Sequence, residues 1–219
     1  MTAPRTQRRG ALKLAAAILI ALIGIAAIAF AVKTWQERTG DTVAVSRIVD
    51  GDTIDIERSG ETVRVRLLNI DTPEKEECLF NEATEHLTTL IAPGDRVSLV
   101  HDVERQDRYG RELAGVVTAD GTFVNEVMVA DGFARAVEYQ PNTRFTRQMR
   151  DAEAQAKAAR SGIHAVPTEC LMPTEIARDA LARYQGDPDP FYLDVMRDAV
   201  DNTNNFTYRD QAIALIDSL

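Results

Sequence analysis

At 219 residues, 45% hydrophobic and 27% charged, the chain is neither a disordered nor a fibrous polymer, and 12 glycines and 8 prolines are too few for low complexity. Two cysteines exclude a disulfide-dense miniature scaffold and a four-cysteine zinc site. With 34 acidic against 25 basic side chains, the net charge of −9 excludes nucleic-acid binding through overall positive charge.

The first 40 residues depart from that average. Arg5, Arg8, Arg9, Lys13, Lys33 and Arg38 stand there against Glu37 alone, so the rest is more acidic than the whole. From Leu14 to Val32 no side chain is charged. At about 1.5 Å per residue that run covers the roughly 30 Å hydrocarbon core of a bilayer. The preceding basic residues keep that end cytoplasmic, and Trp35 suits the membrane interface. Ala29-Phe30-Ala31 also fits a small-x-small cleavage site. Signal-peptide apolar cores run only about 7 to 15 residues, so an uncleaved anchor is the better reading of residues 1–40. On either reading, the remainder lies outside the cytoplasmic membrane. In that oxidising setting Cys78 and Cys170 are expected to form one disulfide. By the chain-entropy model, closing so long a loop contributes about 4 to 5 kcal/mol.

Thr42 to Ile48 is rich in valine and isoleucine and reads as a strand. Thr53 to Glu57 alternates, with Ile54 and Ile56 inward, before a Ser59-Gly60 turn. Thr62 to Ile70 follows, placing Val63, Val65 and Leu67 on one face and completing a three-stranded meander. A helix is predicted over Phe80 to Ile91, ended by Pro93-Gly94. Arg96 to Val100 and Glu112 to Thr118 are the fourth and fifth strands, the latter closed by Asp120-Gly121. Helices are predicted over Asn125 to Asp131 and Thr143 to Arg160. Five strands with helices after the third and fifth suit an α+β domain over 41–170, built on a closed OB-type barrel. Beyond it, Glu175 to Tyr184 and Phe191 to Val200 read as helices, and Thr207 with Asp210 resembles a capping box opening a third. Residues 171–219 are thus expected to be an acidic helical extension that packs on the barrel or binds another protein.

Three segments carry the chemistry. Asp50-Gly51-Asp52-Thr53 lies between the first two strands, and Arg66 to Glu74 carries the third strand into a loop. Asp107-Arg108-Tyr109-Gly110-Arg111 leads into the fifth strand. Together they offer hard oxygen ligands, guanidinium groups and a spare carboxylate. His86, His101 and His164 are scattered, so the donor types point away from zinc and toward Ca²⁺ or Mg²⁺. Each segment alone also reads as an ordinary turn or loop: Asp and Gly favour turns, and Pro73 suits a helix entry. Only the order and spacing of all three carry weight.

Taken together, these residues resemble the staphylococcal-nuclease-like (thermonuclease) family over about residues 43–165. Arg66 stands five residues before Asp71 of Asp71-Thr72-Pro73-Glu74. Val124-Asn125-Glu126, Asp131-Gly132-Phe133-Ala134 and Glu153 to Lys157 continue the resemblance in order. It implies an OB-fold phosphodiesterase that uses Ca²⁺ on DNA or RNA and leaves 3′-phosphate ends. It further implies Asp52, Asp71 and the Thr72 carbonyl as metal ligands, with Asp50 near the ion through water. Glu74 would activate or orient the attacking water, and Arg66 and Arg111 would clamp the scissile phosphate. Arg108 and Tyr109 would hold the neighbouring phosphate. Val137 stands where the family often has a tyrosine, leaving Tyr139 to stack on the base.

That division of labour is chemically coherent. A phosphodiester gains charge as water attacks it, and a divalent ion and two permanently charged, bidentate guanidinium groups stabilise that charge. The acidic surroundings confine positive potential to a local cleft, which implies modest affinity and a shallow salt dependence. The alternative is a barrel that binds nucleic acid or protein without catalysis. Such a module would lack some of Asp52, Arg66, Asp71, Glu74 and Arg111, all of which are present. Partners expected are the nucleic-acid substrate and the membrane; no protein partner is indicated, and a monomer is the simplest expectation.

Overall fold

Alternating valine and isoleucine commit the first part of the domain to strands, because branched side chains pack well on a pleated, half-buried surface. The computed structural model describes residues 41–219, and the anchor or signal expected within residues 1–40 lies outside the described residues. Strands β1 (Asp41–Asp50), β2 (Thr53–Arg58) and β3 (Glu61–Leu67) form an antiparallel meander. Ile54, Ile56, Val65 and Leu67 are fully buried inside it.

The third strand does not reach Ile70 as its composition predicts. It stops at Leu67, and Asn69 turns the chain at φ 60°. Asparagine tolerates that left-handed conformation, and its buried amide is held by bonds to the Val137 carbonyl (3.3 Å), the Asn142 carbonyl (2.9 Å) and Thr146 Oγ1 (3.3 Å). Ile70–Asp71 then forms a separate short strand, β4.

Helix α1 (Phe80–Leu90) leads to β5 (Arg96–Val100) and β6 (Glu112–Thr118). Strand β6 pairs antiparallel with β5 and parallel with β3, closing an OB-type barrel in the order β1-β2-β3-β6-β5. Helix α2 (Val124–Ala130) is followed by β7 (Arg135–Ala136), which pairs with β4 and sets Asp71 opposite Arg135. Helix α3 (Thr146–Ala159) begins three residues later than the sequence predicts.

After two short 3₁₀ turns come α4 (Glu175–Gly186), α5 (Pro190–Asn202) and α6 (Arg209–Ser218). Their apolar faces share a second core that includes Ile163, Met172, Met196, Phe206 and Tyr208. Cys78, before α1, is bonded to Cys170 beside this second core, with Cα atoms 5.7 Å apart. The capping box expected at Thr207 does not form: α6 starts at Arg209 with no side-chain cap, and Thr207 is turned toward the barrel. Among the described residues no helix is long and apolar enough to cross a membrane.

Candidate active site

The site grows from the tight turn between β1 and β2. Gly51 is buried there, and a Cβ on it would come within 2.9 Å of Thr72 Oγ1 and 3.0 Å of the Ala83 Cβ. Only a bare α-carbon lets this turn and the loop after β4 lie against each other. The Asp52 carboxylate closes the junction, accepting bonds from the Thr72 amide and hydroxyl (both 3.1 Å) and from Thr53 Oγ1 (3.0 Å).

Arg66 reaches this junction from β3, where it pairs in register with Thr53. Its side chain is 12% exposed, and its two amino groups approach separate acids: Asp52 at 2.7 Å and Asp71 at 3.1 Å. Arg135 binds the other oxygen of Asp71 at 2.8 Å. Two buried carboxylates therefore converge on one guanidinium fork. Burial pushes the Asp52 carboxyl above its ordinary value, with Arg66 pulling against that push. Burial also works against the charge on Arg66, but Asp52 and Asp71 keep it firmly protonated.

Glu74 stands at the solvent edge of the following loop. Partial burial raises its pKa, and the carboxylates of Asp71, Asp52 and Glu77 add to the rise. Tyr139 is 59% exposed within reach of the same buried acids; burial of its ring and the charge of Asp71 push its hydroxyl up.

Arg108, Tyr109 and Arg111 form a neighbouring group. Asp107 organises it by accepting from the Tyr109 amide (2.9 Å), the Arg111 amide (2.9 Å) and Arg111 Nε (2.7 Å). Partial burial alone would raise the Asp107 carboxyl, but these bonds hold it below its usual range. Arg108 and Arg111 lie 4.8 and 5.6 Å from the Tyr109 ring centre, so one aromatic ring attracts both cations. Tyr109 and Arg111 line an open cleft of about 350 Å³ with Asp55, Thr62, Arg64 and Gly110. The cleft lies against β2 and β3, at the Asp55–Arg64 pair, two pairs along from Thr53–Arg66.

The structure thus joins Asp52, Arg66, Asp71 and Thr72 by direct contacts, sets Glu74 and Tyr139 within electrostatic reach, and keeps Tyr109 and Arg111 in the adjoining cleft, with Arg108 against the Tyr109 ring. Among the described residues no three acid, histidine or cysteine side chains gather as a metal cage. Two carboxylates and the Thr72 carbonyl offer only hard oxygens, the donor type that suits Ca²⁺. Sequence reading missed Arg135, Glu77 and Thr207. Arg135 directly follows the Asp131 to Ala134 segment, but nothing local marks its partner.

The family model described as Staphylococcal nuclease homologue matches residues 64–165. A thermonuclease of Staphylococcus intermedius is 35% identical over 130 residues, covering 57% of this chain and 77% of the relative. A thermonuclease of Staphylococcus hyicus is 34% identical over 134 residues, covering 56% and 75%. Endonuclease YhcR of Bacillus subtilis (strain 168) is 34% identical over 162 residues, 65% of this chain and 13% of that protein.

Proposed function

Because this chain belongs to the staphylococcal nuclease family, we propose that it cleaves DNA, RNA or both outside the cytoplasmic membrane, with calcium, leaving 3′-phosphate ends. It is a phosphodiester hydrolase. The observation that carries the finer reading is the convergence of Asp52 and Asp71 on the fork of Arg66, at 2.7 and 3.1 Å.

Asp52, Asp71 and the Thr72 carbonyl would hold the ion. Bound there, it supplies Lewis-acid stabilisation of the charge that develops on the phosphoryl oxygens. Arg66 and Arg111 donate to those oxygens from two sides, and Arg108 with Tyr109 retains the next phosphate along the strand. Glu74 accepts a bond from the attacking water and orients it. As the water oxygen bonds to phosphorus, the bond to the 5′ oxygen breaks; the attacking water gives up a proton to solvent, the 5′ oxygen takes one from solvent and leaves as a hydroxyl, and the phosphate stays on the 3′ side. Tyr139 offers its exposed ring to a base.

Location outside the membrane is supported by the basic, then apolar, N-terminal sequence and by the Cys78–Cys170 bond, since disulfides persist in oxidising compartments. The test uses the full chain with single-stranded and duplex substrates, in calcium and in excess chelator. Chelation should abolish cleavage. Glu74→Gln should lower the rate by about 10² to 10⁴ while unfolding stays cooperative. Wild-type turnover in that variant would remove Glu74 from the mechanism.

A further inference from the structure

The loop between Thr72 and Phe80 carries the proposed water-orienting carboxylate, yet it holds itself poorly. Glu76 and Leu79 sit at φ 80° and 67°, left-handed positions taken by residues other than glycine. Such backbone persists only where the surroundings over-determine it. Its internal backbone bonds are Glu77 N to the Glu74 carbonyl (2.9 Å) and Phe80 N to the Glu77 carbonyl (3.4 Å).

The helical tail supplies further restraint. Thr207, buried just before α6, donates its hydroxyl to the Thr72 carbonyl at 3.3 Å. Glu77 forks between the two regions. One carboxylate oxygen accepts from the Thr207 amide (3.1 Å) and the other from the Glu74 amide (2.8 Å). Tyr208, 1% exposed in the second core, donates its hydroxyl to the Cys78 carbonyl, and Cys78 is itself bonded to Cys170. Residues 72, 77 and 78 are thus fastened to the tail, and the Glu74 amide is one bond removed from it.

We propose that the helical tail is a working part of the active site, with Thr207 and Glu77 as positioning residues for the Thr72 carbonyl and the Glu74 carboxylate. This rests on the roles given above to Thr72 and Glu74. A carbonyl oxygen has two lone pairs, so the Thr72 oxygen can accept from Thr207 and still face a cation. The Glu77 fork fixes the start of the turn that aims Glu74. A displacement of about 1 Å in such a group can cost about 10² in rate, so these contacts bear on turnover as well as on folding.

The test compares the full chain with Thr207→Val, Thr207→Ser and Glu77→Gln. Glu77→Gln keeps one accepting oxygen and loses the other. In metal-free protein, hydrogen exchange should quicken about tenfold in Glu77→Gln at the Glu74 or the Thr207 amide, whichever the single remaining oxygen no longer holds. With calcium and substrate, Thr207→Val and Glu77→Gln should each lower kcat about 3- to 10-fold with KM within twofold of wild type. Thr207→Ser should restore kcat. Unchanged kcat alongside a lowered melting temperature would reduce the tail to a structural prop and overturn the proposal. Unchanged exchange at both the Glu74 and the Thr207 amides in Glu77→Gln would also overturn it. A wild-type chain that cleaves nothing would instead sink the hydrolytic reading, and the exchange measurement, made without metal, would still decide the loop contact.

Discussion

Arg66 and Arg111 carry the same guanidinium group to neighbouring places and are held in opposite ways. Arg66 rises from the barrel wall, 12% exposed, and its two ion-pair partners are themselves no more than 10% exposed. Arg111 stands at the end of a turn, 32% exposed, with Asp107 as its ion-pair partner and the Tyr109 face beside it. The difference teaches that one residue type can do two jobs. Arg66 neutralises acids the fold has already buried, so the folded state depends on it before any substrate arrives. Arg111 is pre-aimed by a local turn, and its removal strands no deeply buried charge.

Removing each arginine separates these roles. Arg66→Ala leaves Asp52 and Asp71 buried without the charge they share, a loss of about 3 to 5 kcal/mol where a buried pair is broken. Denaturant unfolding should show that drop, with cleavage lost as well. A variant that unfolds like wild type would break the comparison. Arg111→Ala should instead lower the cleavage rate by about 10² to 10³, as the loss of one donor to a developing oxyanion does. Its stability should change by less than about 1 kcal/mol, because a part-exposed pair contributes little. A stability loss equal to that of Arg66→Ala would erase the distinction.

The elements of the barrel were legible because their signals are local. Ile54 and Ile56 alternate, the Ser59-Gly60 turn is short, and both isoleucines are fully buried where expected. The three chemical segments were legible as residue types in order. What escaped depends on distant partners. Arg135 lies in a two-residue strand, too short for any periodicity, and meets Asp71 from 64 residues away. Asn69 ends β3 through bonds to residues 137, 142 and 146. Thr207 has the spacing of a helix cap, but its hydroxyl is taken by a carbonyl 135 residues back. Glu77 looks like one more solvated acid in Glu74-Lys75-Glu76-Glu77, because a fork between two amides leaves no mark on its neighbours in sequence.

Asp55 offers the finest test of what separates a buried arginine from exposed ones. It lies two pairs along β2 and β3 from Arg66, on the same face, and is bound by Arg64 (2.9 Å) and Arg47 (2.7 Å), side chains 47% and 60% exposed. Hydrogen bonding from Arg64, joined by Arg47, holds its carboxyl below the ordinary 3.8 despite its burial. A carboxyl whose folded pKa is depressed favours the fold when ionised. Its contribution is therefore whole at pH values above the unfolded value and fades as pH falls through the lower folded value. Both arginines stand half in water, so Asp55→Asn should cost only about 1 kcal/mol near pH 7. In urea titrations the gap between wild type and Asp55→Asn should shrink as the solution is acidified below pH 3.8. A gap that stays constant across that range would mean that packing, and not charge, holds Asp55 in place, and the contrast with Arg66 would then rest on shape alone.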